Sequence, residues 1–146
     1  LLRRLEERRD IDITILYADL NHFKYVNDTF GHEAGDRLLI TFAHILSRVF
    51  DGQHAMTARV GGDEFVVIFQ DITQREIADA WQQVELDLLE ESRRLPFHYW
   101  MVSAHGCATR TAGSNQPLDD VVRSADHAMY LCKEWQKRSE ALRNSA

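Results

Sequence analysis

Cysteine is scarce in this chain of 146 residues, Cys107 and Cys132 being the two present. Their spacing suits neither a disulfide framework nor a metal knuckle, so free thiols in a reducing, cytoplasmic setting are expected. Long apolar runs are missing as well. No stretch approaches the roughly 18 residues that a membrane-spanning helix needs, and no signal-peptide pattern opens the chain, so no membrane contact by this domain is expected. Basic stripes are also lacking. With a formal net charge of −6, nothing offers the clustered Lys and Arg on which nucleic-acid binding relies. There are no internal repeats and no low-complexity segments. A nucleotide ligand remains compatible with this acidity, provided a cation bridges its phosphates to the carboxylates.

What is present suits one globular domain over residues 1–146, with 45% of residues hydrophobic and a full core. Leu1 to Asp10 reads as a charged helix end. Ile11 to Leu20 (IDITILYADL) reads as a strand that delivers Asp19 to its C-terminal end. Asn21 to Asp36 reads as a polar loop with a short helical turn. Arg37 to Phe50 is an amphipathic helix with Leu38, Phe42, Ile45 and Val49 on one stripe. Ala55–Val60 and Asp63–Gln70 are two strands linked by Gly61 and Gly62, a hairpin signal because tight primed turns need positive φ. Thr73 and Glu76 have capping-box spacing and open a helix to about Arg94, with Ile77, Trp81, Val84 and Leu88 inward. Phe97 to Arg110 reads as a strand, and Pro117 suits the first turn of a last helix reaching about Lys137. The order β-α-β-β-α-β-α predicts an α+β sandwich of the ferredoxin-like kind. Its sheet is mostly antiparallel, and the helices are expected on one face.

In that topology the first strand neighbours the one after the Gly-Gly turn, so Asp19, Asp63 and Glu64 converge. Three acids in one place repel unless a cation sits among them, and Mg²⁺ favours such oxygen ligands. Successive strand residues face opposite ways, so one of Asp63 and Glu64 is expected to hold metal and the other to act elsewhere or through the twist of the turn. A charged turn with solvated acids is the plainer alternative. His22, His44, His54, His98, His105 and His127 show no ligand spacing with one another.

The run Arg59-Val60-Gly61-Gly62-Asp63-Glu64-Phe65 resembles the signature of the GGDEF family of diguanylate cyclases. Asp19-Leu20-Asn21-His22-Phe23-Lys24 resembles its D-x-D-x-F-K segment. Asn27-Asp28, Gly31-His32 and Gly35-Asp36 resemble its N-D…G-H…G-D run, and Ala125-Asp126 with Lys133 its A-D…A-K. The resemblance implies a palm-type nucleotide cyclase fold that joins two GTP into cyclic di-GMP. Metal would activate a 3′-hydroxyl against an α-phosphate across a homodimer. It implies Mg²⁺, with Mn²⁺ as an alternative, on the Asp19 carboxylate, the Leu20 carbonyl and the Asp63 carboxylate. Glu64 is then a further ligand or the group that helps deprotonate the hydroxyl. Gly61 and Gly62 would let the backbone approach the nucleotide. Asn27 and Asp36 correspond to guanine readers: a carboxylate accepts from both N1–H and N2–H of guanine, whereas adenine offers an acceptor at N1. Turn-and-cap positions are the other reading of those two residues. Lys24, Lys133 and Lys137 fall among the phosphate contacts. Phe23, in the same substrate-binding segment, and His32 serve packing and loop structure.

The chain departs from the family in places. Asn21 replaces the second Asp of its segment, and Gln136 and Lys137 stand where Gly and Arg would be, so the bidentate fork is lost. Gly52 and Ala55 occupy the register of the R-x-x-D pair that binds product in many members. Arg48 and Asp51 spell that motif four residues too early and are expected to be a structural pair at the helix end, so tight feedback inhibition through this site is expected to be missing. The upstream D-x-L-T-G-L-x-N-R segment is absent, which suggests a domain excised from a longer protein with an N-terminal sensory or dimerising region. A GGDEF module that binds GTP and regulates an attached domain, without strong catalysis, is the alternative function.

Overall fold

Strand β1 (Ile13–Leu20) is apolar at most positions because both of its faces are covered. The computed structural model describes residues 2–52 and 54–145; Leu1, Gln53 and Ala146, to which the expected helix end and the domain limits extend, lie outside the described residues. After a short helix α1 (Leu2–Glu6) and β1 come α2 (Phe23–Phe30), α3 (His32–Phe50), β2 (Ala55–Gly61), β3 (Glu64–Gln70), α4 (Gln74–Arg93), β4 (Ser103–Arg110) and α5 (Leu118–Ser145). The four strands pair antiparallel in the order β2-β3-β1-β4. This is the expected α+β class, with an antiparallel sheet flanked by helices.

The helices are not confined to one face, as the sequence had suggested. Leu16, Ala18 and Leu20 of β1 and Phe65, Val67 and Phe69 of β3 pack against Leu38, Phe42 and Ile45 of α3 and Trp81, Val84 and Leu88 of α4. Ile13, Ile15, Val66 and Ile68 point the other way, onto Leu118, Val121 and Ala125 of α5 and Leu5 of α1. The unbroken run Phe65–Phe69, buried at every position, is the pattern of a strand covered on both sides.

Several boundaries differ from expectation. The stretch read as a loop holds α2 and the first turn of α3, separated by Gly31 at φ 96°. Neither helix has a side-chain cap at its start, and His22, before α2, is left-handed at φ 59°, so the usual start signal is absent. Strand β4 begins at Ser103 rather than Phe97. Its partner β1 ends at Leu20, paired with Ser103, so residues 97–102 have no ladder to join despite their β-forming side chains. They are tied instead by Asn21 N–H to the Val102 carbonyl (2.8 Å), by Tyr99 hydroxyl to the Asn21 carbonyl (2.9 Å), and by Phe97 stacked on Phe30. Finally, α5 continues to Ser145, beyond Lys137.

The helix expected from Thr73 to about Arg94 is present as Gln74–Arg93, and Thr73 Oγ1 caps it by accepting from the Glu76 N–H at 3.1 Å. Helix α5 lies directly on β4, where a Cβ at Gly106 would run into the backbone of Ala128 and Met129. At the far end, the Arg110 guanidinium, 1% exposed, donates to the carbonyls of Leu5 (3.0 Å) and Arg8 (3.2 Å), while Glu6 Oε2 accepts from the Leu118 N–H (2.8 Å). These bonds clasp α1 to the start of α5.

Candidate functional site

The antiparallel register of β1 and β3 sets Asp19 opposite Glu64, at the end of the sheet where the β2–β3 hairpin turns. The two-residue link of this hairpin is Gly62-Asp63, not Gly61-Gly62. Gly61 closes β2, after a bulge between Arg59 and Gly61, and Gly62 alone takes positive φ, at 36°. The Arg59 guanidinium donates to the Gly62 carbonyl (2.9 Å) and braces the turn. Because Asp63 lies in the turn and not in the strand as expected, strand alternation does not govern where it points. Glu64 shares the α5-facing side of the sheet with Val66 and Ile68, and so with Asp19 and Tyr17.

Asp19 is 2% exposed. The Lys133 ammonium, reaching down from α5, donates to its Oδ2, while its Oδ1 is buried with no partner. Burial pushes this carboxyl up to about 6; Lys133 pulls the other way, and the nearby charges of Asp63 and Glu64 add to the rise. Glu64 is held in turn. The Tyr17 hydroxyl donates to its Oε2 at 3.0 Å, and burial followed by that bond pushes the phenol up to about 12. Among the described residues, no three His, Cys, Asp or Glu side chains enclose a metal position. The carboxylates are neighbours without forming a closed cage. A buried, unpartnered carboxylate oxygen beside two further acids is nonetheless a donor set that a hard cation satisfies. No neighbouring atom would meet a Cβ at Gly61 or Gly62, so the turn faces open space.

A cleft of about 460 Å³ opens beside the hairpin, lined by Asp36, Leu39, Ile40 and Ala43 of α3, Arg59 of β2 and Phe65 of β3. Asn27 approaches the same neighbourhood, since its amide lies where a Cβ at Gly35 would stand. Neither Asn27 nor Asp36 caps a helix: His22 and Gly31 hold those positions. Asn27 of α2 thus lies against the residue before Asp36 on α3, though it does not itself line the cleft. Phe23 packs against the core, in keeping with a packing role.

Of the expected phosphate contacts, Lys133 and Lys137 line a second, smaller cleft with Asn21, His22, Gln136 and Glu140. Lys137 is exposed and 3.7 Å from Glu134. Lys24 stands exposed on α2 and does not line this cleft. Two departures from the family pattern meet here: Asn21 Nδ2 donates to Gln136 Oε1 (2.7 Å), and Gln136 Nε2 to the Ser103 carbonyl (3.1 Å). The Arg48 and Asp51 pair is engaged elsewhere. Arg48 donates to Asp87 of α4 (3.0 Å), and Asp51 accepts from the Thr57 N–H (2.9 Å). The sequence reading passed over Tyr17, although its place two residues before Asp19 on a strand was the available signal.

Residues 1–139 match the family model described as "Diguanylate cyclase, GGDEF domain". The chain is 33% identical over 138 residues to Diguanylate cyclase DgcN of Escherichia coli (strain K12), covering 88% of this chain and 31% of that protein. It is 32% identical over 126 residues to Cyclic di-GMP phosphodiesterase PdeR of the same organism, covering 84% and 18%. Among solved structures, the GGDEF domain of DgcB from Caulobacter crescentus in complex with c-di-GMP matches with a TM-score of 0.78 at 26% identity, over 91% of this chain and 78% of that one. The chain spans about a third or less of the length of the two curated relatives named.

Proposed function

The chain belongs to the GGDEF family of diguanylate cyclase domains, and from that premise we propose that it condenses two GTP into cyclic di-GMP and pyrophosphate. The observation that carries this reading is the register of Asp19 against Glu64, with a free buried oxygen on Asp19 beside the Gly62-Asp63 turn. In each of two successive steps the 3′-hydroxyl oxygen of one guanosine unit bonds to the α-phosphorus of the other, its proton passes to a base or to water, and the bond to the leaving pyrophosphate breaks.

Asn27 and Asp36 would read guanine in the cleft beside the hairpin, Asp36 by accepting from its N1–H and N2–H. Gly61 and Gly62 leave room for the phosphates to lie against the backbone. Asp19, the Leu20 carbonyl and the acids Asp63 and Glu64 would hold Mg²⁺, or Mn²⁺ in its place, which when bound supplies positive charge to the phosphates. Lys133, which donates to Asp19, would pass to phosphate oxygens, with Lys137 and Lys24 contributing charge from further out. Glu64 would act as a further ligand or as the base for the attacking hydroxyl. The engagement of Arg48 with Asp87 and of Asp51 with Thr57 supports the absence of an R-x-x-D product site at that place.

One guanine cleft per chain means that two chains must face one another with their GTPs between them, so catalysis proceeds in a homodimer, at least a transient one. No helix of the described residues is long and apolar enough to cross a membrane. Because its proposed substrate is GTP, we place the domain in the cytoplasm, within a longer protein. A second reading, a GTP-binding regulator of an attached domain, is favoured by the similarity to a protein named as a cyclic di-GMP phosphodiesterase. Incubation with GTP and Mg²⁺ followed by chromatography separates the two. Cyclic di-GMP should form at a rate that rises faster than linearly with protein concentration, and Asp63→Asn should form none. Absence of product at any protein concentration rejects the cyclase and leaves the regulator.

A further inference from the structure

Glu64 has three side-chain torsions and sits at the start of a strand next to an open turn, half-buried. Nothing in its backbone position decides where its carboxylate points. Tyr17 does. The register places Tyr17 opposite Val66 and Asp19 opposite Glu64, so Tyr17 and Glu64 are diagonal neighbours on one face, within reach of long side chains. The phenol ring is half-buried against the α5-facing core of Leu118, Val121 and Ala125, which fixes its direction. Its hydroxyl, a donor at neutral pH, reaches Glu64 Oε2 at 3.0 Å.

We propose that Tyr17 is a positioning residue for Glu64: it holds Oε2, so that Glu64 presents Oε1 to a divalent cation shared with Asp19. The inference rests on the reading of this edge as the metal-binding side of the site. A carboxylate left with both oxygens free would swing between solvent and site, and each excursion would take a ligand away from the cation. Held by one donor, it remains oriented, as a ligand held by outer hydrogen bonds generally is.

The test is Tyr17→Phe, which deletes the hydroxyl and keeps the ring, with Tyr130→Phe, at an exposed position on α5, as control. Mn²⁺ binding in the presence of GTP, followed by electron paramagnetic resonance, should weaken about tenfold in Tyr17→Phe and stay unchanged in Tyr130→Phe. The Mg²⁺ concentration at half-maximal cyclisation should rise in parallel, with little change in KM for GTP at saturating metal. Wild-type Mn²⁺ affinity in Tyr17→Phe overturns the proposal. So does a loss of binding matched by collapse of the melting temperature, which would mark a purely structural tyrosine, and so does a wild-type chain that takes up no Mn²⁺. If the wild type binds Mn²⁺ but makes no cyclic di-GMP, the cyclase reading fails while the comparison of affinities still judges Tyr17.

Discussion

At the scale of single residues, Asp19 shows a site arranged against the stability of its own fold. Its carboxyl is buried, one oxygen lacks a partner, and its proton affinity is raised above the ordinary carboxylate value of 3.8 to about 6. The unfolded chain gives up that proton at lower pH, so ionised Asp19 destabilises the metal-free fold at pH 7, by about 1–3 kcal/mol. Asp19→Asn removes the charge and keeps the shape. In chelator, the variant is expected to melt at the same temperature as the wild type or a few degrees higher, while cyclic di-GMP formation falls to background. A clear fall in melting temperature would mean that the ion pair with Lys133 outweighs the burial. The proximity of Asp19 to Glu64 was legible in the sequence because strand order alone implies it. The hold of Lys133 on Asp19 was not, since it depends on how closely α5 rides on the sheet. Nor was the meeting of Asn21 with Gln136, 115 positions apart: each reads alone as a departure, and only the fold makes them partners.

At the scale of elements, legibility followed the strength of local signals. Helix α4, with a threonine cap and an inward stripe of Ile77, Trp81, Val84 and Leu88, lies where its periodicity placed it. Helix α2 has no side-chain cap and buries only Val26, so nothing local distinguished it from a loop. The outer half of the expected fourth strand failed for lack of a partner, a non-local fact. The contact of α5 with β4 is non-local too, and it can be probed at Gly106, where an added methyl meets helix backbone that no side-chain rotation can clear. Gly106→Ala is expected to lower stability by about 2–3 kcal/mol in urea denaturation, as overpacking at an unyielding contact does. A change below about 0.5 kcal/mol would show that α5 shifts freely over the sheet.

For the whole molecule, the folding equilibrium carries a pH dependence that originates on the face of the sheet opposite to the carboxylates. His105 stacks on Trp81 with centroids 4.0 Å apart, and burial pushes its pKa from 6.5 down to about 4. Between those values the unfolded chain binds the proton and the folded one does not. The stability contributed by neutral His105 is therefore complete above about 6.5 and is lost as pH falls toward 4, a change on the order of 2 kcal/mol. His105→Gln should flatten the decline of stability between pH 7 and 4 in denaturant titrations relative to the wild type, whatever its effect at pH 7. An unchanged slope would place the acid sensitivity elsewhere.

Along the α5-facing side of β4 run Ala104, Gly106 and Ala108, the residues paired with Asp19, Tyr17 and Ile15. Gly106 meets the helix at Met129, one turn before Lys133. The small side chains thus act as a spacer of fixed thickness between helix and sheet, and that thickness sets how far the Lys133 ammonium must extend to reach Asp19. A substitution on β4 that touches none of the carboxylates would lift the helix, lengthen that reach and loosen the ion pair, so the electrostatics of the site are tuned by the clearance beneath a helix.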